Sequence, residues 1–317
     1  MSDDEPATEA ATETAAAPPV PEDPTFVEFF SGGALSAADA EAITLRSRTH
    51  LIVLVGAEAS GKTTVLASIY ERLNEGPFAG FQFAGSRSLL GFEEICHLNR
   101  LVSGGAQPDT QRTIPADVAS YYHLALKATK DGARRRHVLL SAMSGELFRM
   151  AMDRREDAAR LTYLRRADTI AVLVDGARLA VPEQRANAQA EAASILESLI
   201  DAHLVGPNCR VEFVFSKLDR VNAGGQEALD FLNKTQEKFE TRFRDLVPSL
   251  YFRKIAARPD PSLSSDGLDT GLPDAFASWT SLQPASRESW TLPLPSAAER
   301  EFSKFGWRHF AQFRGNS

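Results

Sequence analysis

Residues 50–64 read HLIVLVGAEASGKTT and carry the strongest structural pattern in the chain. Its first six residues form a continuous apolar run of strand length, typical of a parallel strand buried on both faces. The residues that follow fit the pattern G-x-x-x-x-G-K-[ST], and the next stretch, TTVLASIYERLNEG, favours a helix. The order of strand, glycine loop and helix therefore predicts a phosphate-binding loop.

The residue types in this loop suit a phosphate chain. Gly56 and Gly61 let the backbone curl so that amide groups face the phosphates, and the helix directs its positive end to the same anion. Lys62 is expected to reach the β- and γ-phosphates, and the Thr63 hydroxyl to bind Mg²⁺. A chance glycine loop is the alternative. The predicted nucleotide-binding residues of the loop are Gly56, Ala57, Glu58, Ala59, Ser60, Gly61, Lys62, Thr63 and Thr64.

Size and charge limit the functions that are open to the chain. Its 317 residues, 43% of them hydrophobic, suffice for one sizeable α/β core but scarcely for two domains. Residues 1–24 carry seven of the 42 acidic residues and no Lys or Arg, so the other 35 acids equal the 35 basic residues. We therefore expect a disordered acidic tail over residues 1–24 and no bulk nucleic-acid binding.

Cysteine usage and the N-terminal composition predict a cytoplasmic protein. Cys96 and Cys209 have no metal-ligand or redox spacing, which favours a reducing compartment. The first residues lack the basic and apolar regions of a signal peptide, and no stretch is long enough to span a bilayer.

The rest of the chain predicts an α/β fold. Residues 25–48 favour an N-terminal helical segment with Ser36 as the N-cap. The runs YYHLALKAT and RRRHVLLSAM flank an Asp-Gly turn at residues 131–132, which predicts an antiparallel pair. Downstream, the strands TIAVLVD, RVEFVFS and LYFRKIA alternate with two long helical stretches, which predicts parallel crossovers.

We therefore predict a three-layer P-loop NTPase fold, with a mostly parallel sheet, one antiparallel strand and helices on both faces. The domain is expected to span residues 49–260. Residues 261–317 are predicted to form a C-terminal extension with a short helix at residues 273–280 and a terminal helix.

Residues 213–219, FVFSKLD, carry the chemistry that selects a base. A carboxylate at the end of a parallel strand can accept both N–H donors on the guanine Watson–Crick edge, and adenine offers no such pair. Asp219 is in that position, and Lys217 can lay its alkyl stem over the ring. A polar strand end with a solvated Lys and Asp is the alternative.

Together with the loop, this motif resembles the Ras-like and translation-factor-related (TRAFAC) class of P-loop GTPases over residues 50–258. The guanine motif of that class is Asn/Thr-Lys-x-Asp, and Ser216 stands in the first position here. The resemblance implies a molecular switch that binds GTP with Mg²⁺, and it makes the antiparallel strand the interswitch strand. Residues 255–258, IAAR, are similar to the Ser-Ala-Lys motif, which implies contact between guanine O6 and the backbone at Ala256 and Ala257.

The third motif of that class, Asp-x-x-Gly, departs from its pattern here. Gly145 is in place to sense the γ-phosphate, but Ala142 stands where the family has its aspartate. The departure implies impaired Mg²⁺ binding and slow or partner-dependent hydrolysis. Ser141 or Asp175 could compensate, although neither occupies the matching site.

Two further residues are candidate catalytic groups by the resemblance. Glu146 follows the glycine, where the family often carries a glutamine that orients water. An ordinary surface glutamate without a catalytic role is the alternative. Thr113 precedes the interswitch strands, where the family coordinates Mg²⁺. Thr110 is an alternative candidate for the Mg²⁺ ligand, and the third interpretation is that Thr113 is an ordinary loop threonine.

The chain is also similar to bacterial double-GTPase-type proteins, which act in multi-component conflict or signalling systems with protein partners. Two other readings stay open. One is a P-loop ATPase or kinase with Asp175 as a Walker B carboxylate, and the other is a non-catalytic pseudo-GTPase interaction module marked by Ala142. The arginines at residues 134–136 favour a solvated basic turn, with a partner-binding surface as the alternative.

Overall fold

The computed structural model describes residues 31–102, 120–130, 135–142, 159–260, 262 and 270–281. Within them lie strands β1 Thr49–Gly56, β2 Phe81–Gly85, β3 Tyr121–Ala128, β4 Arg135–Ala142, β5 Thr169–Asp175, β6 Arg210–Ser216 and β7 Leu250–Lys254. The helices are α1 Ala37–Thr44, α2 Lys62–Glu75, α3 Leu89–Val102, α4 Gly176–Ala180, α5 Pro182–Asp201, α6 Leu218–Ala223, α7 Gly225–Phe243 and α8 Leu272–Trp279, with a 3₁₀ helix at Ala159–Arg166.

The seven strands form one sheet in the order β2-β3-β4-β1-β5-β6-β7. Strands β4, β1, β5, β6 and β7 are parallel, and β3 is antiparallel to β4. The predicted fold, mostly parallel with an antiparallel interswitch strand, is confirmed. Strand β2, which pairs antiparallel with β3 at the edge of the sheet, was not predicted.

Alternate residues of the central strand β1 face two apolar clusters, one on each side of the sheet. Leu51, Val53 and Val55 belong to the first cluster, where buried residues of α1, α5 and α7 pack. Ile52 and Leu54 belong to the second cluster, which buried residues of α2, α3 and α8 complete. The predicted three layers follow from this arrangement, because a strand buried on both faces needs helices on both.

Helix α1 begins as the sequence predicts. The Ser36 hydroxyl accepts from the Asp39 amide at 3.2 Å, and the Asp39 carboxylate accepts from the Ser36 amide at 3.1 Å. This reciprocal capping box satisfies two amides that have no partner inside the helix. The preceding Leu35 exchanges backbone hydrogen bonds with Tyr121, which joins the N-terminal segment to β3.

Helix α8 matches the predicted helix at residues 273–280 and packs into the second cluster. Phe276 and Trp279 are fully buried, and the Trp279 indole donates to the buried carboxylate of Glu212 at 3.0 Å. The acidic tail and the terminal helix lie outside the described residues, so the domain limits stay predictions. In the ranges given above, no helix combines the length and the apolar character needed to cross a membrane.

Candidate functional site

The loop between β1 and α2 is built for close backbone packing. A Cβ on Gly56 would lie 2.7 Å from the Ser60 hydroxyl oxygen and 2.9 Å from the Leu173 carbonyl oxygen, which leaves no room for a side chain. Gly61, at φ 96°, caps α2 in a left-handed conformation that glycine adopts without strain. The loop therefore brings its amides and the positive end of a 14-residue helix to one point, as anion binding requires.

Lys62 is the charged group of this loop. Its side chain is nearly buried, and Nζ donates to the carbonyl oxygens of Gly56 at 3.0 Å and Ala57 at 2.7 Å. Burial lowers the pKa of Lys62 to about 8, although the nearby carboxylates of Glu58 and Asp175 act in the opposite direction. A bound phosphate chain would supply the anionic partner that a buried ammonium group favours.

A hydrogen bond joins the predicted base-binding segment to this loop. The Ser216 hydroxyl, at the end of β6, lies 2.8 Å from the Ser60 carbonyl oxygen and 3.1 Å from the Val174 carbonyl oxygen. Ser216 is buried, so its single proton is shared between two carbonyl acceptors inside the protein. The two predicted parts of the site therefore meet at the carboxyl edge of the parallel sheet, where α/β folds bind their ligands.

Lys217 and Asp175 form an ion pair at the same edge. Lys217 Nζ lies 3.0 Å from Asp175 Oδ2, and Asp175 Oδ1 accepts from the Ala177 amide at 3.0 Å. The carboxylate thus caps helix α4 and holds the lysine. Lys217 itself has φ 51°, a left-handed conformation that is uncommon outside glycine.

Asp219 lies in the first turn of α6, and one of its oxygens is already engaged. Asp219 Oδ2 accepts from the Asp260 amide at 3.1 Å, which ties it to the segment after β7. In that segment the Ala256 amide donates to the Thr270 carbonyl at 2.9 Å, and Ala257 is half-buried. The structure thus brings Ala256 and Ala257 to the Asp219 side of the site, with the Ala256 amide committed to Thr270.

The end of β4 carries no carboxylate. Ala142 pairs in register with Leu54 and packs against the second apolar cluster. Ser141 is buried, and Asp175 is engaged by Ala177 and Lys217, so neither supplies the missing group here. Among the described residues, no group of three or more His, Cys, Asp or Glu side chains could hold a metal ion.

Several predicted residues fall outside the described ranges: Thr110, Thr113, Gly145, Glu146 and the turn at residues 131–134. Thr63, the predicted Mg²⁺ ligand, is half-buried in the first turn of α2.

Arg136 differs from the expectation of a solvated basic turn. Its guanidinium donates to the Thr280 carbonyl at 3.2 Å and lies over the Phe81 ring, so it braces β4 against α8 and β2.

Sequence reasoning missed two parts of the site. One is Asp260, whose amide orients Asp219. The other is Gly176, where a Cβ would lie 2.1 Å from the Ser216 carbonyl oxygen. The Asp-Gly pair at residues 175–176 was the available indication, because it lies at the end of a strand next to β6. Arg258 also forms an ion pair with Glu71 of α2 at 3.0 Å, which ties the IAAR segment to the helix after the loop.

A known protein family matches more than half of the chain. The model of the family Double-GTPase 2 matches residues 50–272. No curated protein sequence matches the chain significantly.

Solved structures with a similar arrangement include three GTPase-related proteins. The signal recognition particle receptor SRb-GTP/SRX complex from Chaetomium thermophilum has 15% identity and a TM-score of 0.37, covering 68% of this chain and 93% of that one. The GTP-bound Ski7 GTPase-like domain from S. cerevisiae has 10% identity and a TM-score of 0.45, with 77% and 53% covered. The bacterial dynamin GTPase LeoA from ETEC has 13% identity and a TM-score of 0.36, with 76% and 37% covered. The chain thus spans only part of the Ski7 and LeoA chains.

Proposed function

We propose that this chain, which belongs to the Double-GTPase 2 family, is a GTP-binding molecular switch with slow or partner-dependent hydrolysis. The observation that carries the proposal is the hydrogen bond between the Ser216 hydroxyl and the Ser60 carbonyl. It links a loop suited to phosphates with a segment suited to guanine.

The loop fits a phosphate chain. The missing side chain of Gly56 lets the backbone pack tightly, and Lys62 offers a nearly buried ammonium group whose present partners are two carbonyls of the loop. Lys62 would exchange these neutral acceptors for phosphate oxygens, which form stronger, charge-assisted hydrogen bonds.

The opposite side of the site fits guanine. The Lys217 stem is partly exposed while its ammonium group is anchored, so an apolar surface is available to a base. The Asp219 carboxylate can accept the two donors of the guanine edge, and the Asp260 amide fixes its orientation. A carboxylate in this position disfavours adenine, which lacks the matching donor pair.

The fit to Mg²⁺ is weaker. Mg²⁺ bound with GTP neutralises the charge of the β- and γ-phosphates, and Thr63 would hold it. Ala142 offers no side-chain oxygen at the end of β4, and the predicted roles of Thr113, Gly145 and Glu146 remain proposals. We therefore expect low Mg²⁺ dependence and slow hydrolysis in the isolated chain.

A second candidate, a non-catalytic pseudo-GTPase, is favoured by Ala142, which leaves the end of β4 without a carboxylate. In that case GTP would bind without turnover, and ordering of loops by the γ-phosphate would control a protein partner. Either candidate fits a component of a bacterial signalling or conflict system in the cytoplasm. The contacts of Asp175 argue against an ATPase or kinase, because its two oxygens are engaged by Ala177 and Lys217.

Titration calorimetry with GTP, GDP, ATP and ADP tests the proposal, with Lys62→Ala as the control that removes phosphate binding. The expected result is binding of both guanine nucleotides and loss of binding in the variant. Binding of ATP that equals or exceeds that of GTP would overturn the guanine assignment. Multiple-turnover phosphate release then separates the two candidates, since the pseudo-GTPase would release none.

A further inference from the structure

Asp175 lies at the end of β5 with both carboxylate oxygens engaged. One oxygen accepts from the Ala177 amide and the other from Lys217 Nζ, each at 3.0 Å. The side chain of Asp175 is only 4% exposed, while that of Lys217 is 34% exposed. The ion pair therefore has a buried, capped acid and a lysine whose stem reaches the surface of the site.

The backbone around Asp175 has little freedom to move. Asp175 pairs in register with Ser216, and the neighbouring Gly176 lies so close to β6 that a Cβ would meet the Ser216 carbonyl at 2.1 Å and the Lys217 carbonyl at 3.1 Å. Close packing of this kind fixes the carboxylate relative to the segment that carries Lys217. The Asp175 carboxylate is thus held in a fixed position inside the protein, unlike a carboxylate on the surface.

Lys217 is constrained at both ends as a result. Its backbone is held in the left-handed region before helix α6, and its ammonium group is held by Asp175. A lysine side chain that is free in solution samples many rotamers, and ordering it on binding lowers affinity. With both ends fixed, the stem is already ordered before a base arrives.

We propose that Asp175 is a positioning residue for base recognition, which holds the Lys217 stem in the conformation that covers the guanine ring. This inference rests on the proposed function, in which Lys217 contacts the base. It gives Asp175 a role in nucleotide specificity, distinct from metal binding or hydrolysis.

Asp175 also affects nucleotide binding in a second way, which weakens binding rather than strengthening it. The carboxylate also acts on Lys62, raising its pKa, and its negative charge near the phosphates disfavours their binding. Loss of that charge alone would leave binding of a bare phosphate chain unchanged or stronger. Inorganic tripolyphosphate, which has no base, therefore separates the two routes.

The test uses Asp175→Asn, because an asparagine oxygen still caps α4 but carries no charge. The affinities for GTP and for inorganic tripolyphosphate are measured in four proteins: wild type, Asp175→Asn, Lys217→Met and the double variant. Asp201→Asn, which removes an exposed acid at the end of α5, is the matched control. Asp175→Ser, which also keeps a capping oxygen, replaces Asp175→Asn if thermal unfolding shows that the first variant is not folded.

We expect Asp175→Asn to weaken GTP binding about tenfold in the wild-type background, the size of effect that follows from losing one charge-assisted contact. Tripolyphosphate affinity should not fall. In the Lys217→Met background, where the ammonium group is absent, Asp175→Asn should weaken GTP binding by less than about twofold or strengthen it, since the loss of affinity acts through Lys217.

Equal losses of GTP affinity in both backgrounds would overturn the inference, as would a parallel loss of tripolyphosphate affinity. An unchanged GTP affinity in a wild-type protein that prefers guanine over adenine would also overturn it, while leaving the proposed function intact. A wild-type protein without guanine preference would instead overturn the proposed function and this inference together.

Discussion

The Ser216 hydroxyl donates to the Ser60 carbonyl at 2.8 Å, so the segment proposed to read the base is bonded directly to the loop proposed to hold the phosphates. The same hydroxyl lies 3.1 Å from the Val174 carbonyl oxygen, so its single proton is shared between two acceptors. Loss of the hydroxyl would leave both carbonyls buried without this donor, which makes the link sensitive to a small change.

Ser216→Ala should therefore weaken nucleotide binding and lower the free energy of unfolding by about 1–2 kcal/mol, the range for a buried hydrogen bond. Calorimetry with GDP and thermal unfolding measure the two effects. Ser198→Ala, which removes a hydroxyl bonded to the Ser194 carbonyl within α5, is the control and should change stability without changing GDP affinity. An unchanged GDP affinity in Ser216→Ala would contradict the proposed link.

The lowered pKa of Lys62, about 8, predicts a pH dependence of binding. Above pH 8 the empty loop loses the proton of this ammonium group, so nucleotide binding should take up a proton and weaken as the pH rises. Calorimetry at pH 8.5 in two buffers of different ionisation enthalpy measures the uptake. Lys62→Arg, whose guanidinium group stays protonated at this pH, should show less uptake than the wild type, and equal uptake in both proteins would refute the assignment.

The same pKa has a consequence for stability. The unfolded chain keeps the lysine protonated up to its ordinary pKa of 10.5, so between pH 8 and 10.5 the unfolded state binds more protons than the folded state. The free energy of unfolding of the nucleotide-free protein should therefore rise with pH in this window, relative to Lys62→Met. A free energy of unfolding that falls with pH in this window, relative to Lys62→Met, would contradict the burial of a charged lysine.

Ala142→Asp should restore a carboxylate at the end of β4. Because Ala142 lies beside Leu54, two residues before Gly56, an acid there would face the phosphate edge and strengthen Mg²⁺ binding. GTP affinity measured with Mg²⁺ and with EDTA should differ more in the variant than in the wild type, by roughly tenfold. A Mg²⁺ dependence of GTP affinity that is as large in the wild type as in Ala142→Asp would contradict the idea that Ala142 weakens the metal site.

Gly91→Ala tests the packing of α3 on the N-terminal segment. A Cβ at Gly91 would lie 2.7 Å from the Ala34 amide nitrogen, so the backbone would have to shift, at a cost of about 1–3 kcal/mol. Thermal unfolding should show this loss. Gly76→Ala, where a Cβ meets nothing within 4 Å, is the control, and an equal loss in both variants would contradict the packing argument.

The sequence predicted the elements that have a strong local pattern. The apolar run of β1 and the alternation of strands and helices after residue 168 are sufficient for the parallel sheet, since a strand buried on both faces is continuous in its hydrophobicity. Strand β2 was missed because one residue, Phe81, is buried in it, and a half-exposed edge strand of five residues has little periodicity.

The parts of the site that the sequence did not reveal depend on distances between strands. The contact between Asp175 and Lys217 follows from the register of β5 and β6, in which Asp175 pairs with Ser216, and no local pattern encodes that register. Likewise, the amide of Asp260 reaches Asp219 only because the chain returns to the sheet edge after β7. The glycine loop between β1 and α2 was predictable because all of its residues are consecutive in sequence.

Guanine selection is proposed to depend on Asp219, and the affinity ratio of GDP to ADP in wild type and Asp219→Ala measures it. We expect the wild type to bind GDP at least about tenfold more tightly than ADP, and the variant to lose this preference while retaining phosphate binding through Lys62. Equal affinities for GDP and ADP in the wild type, or a preference that survives in Asp219→Ala, would contradict it.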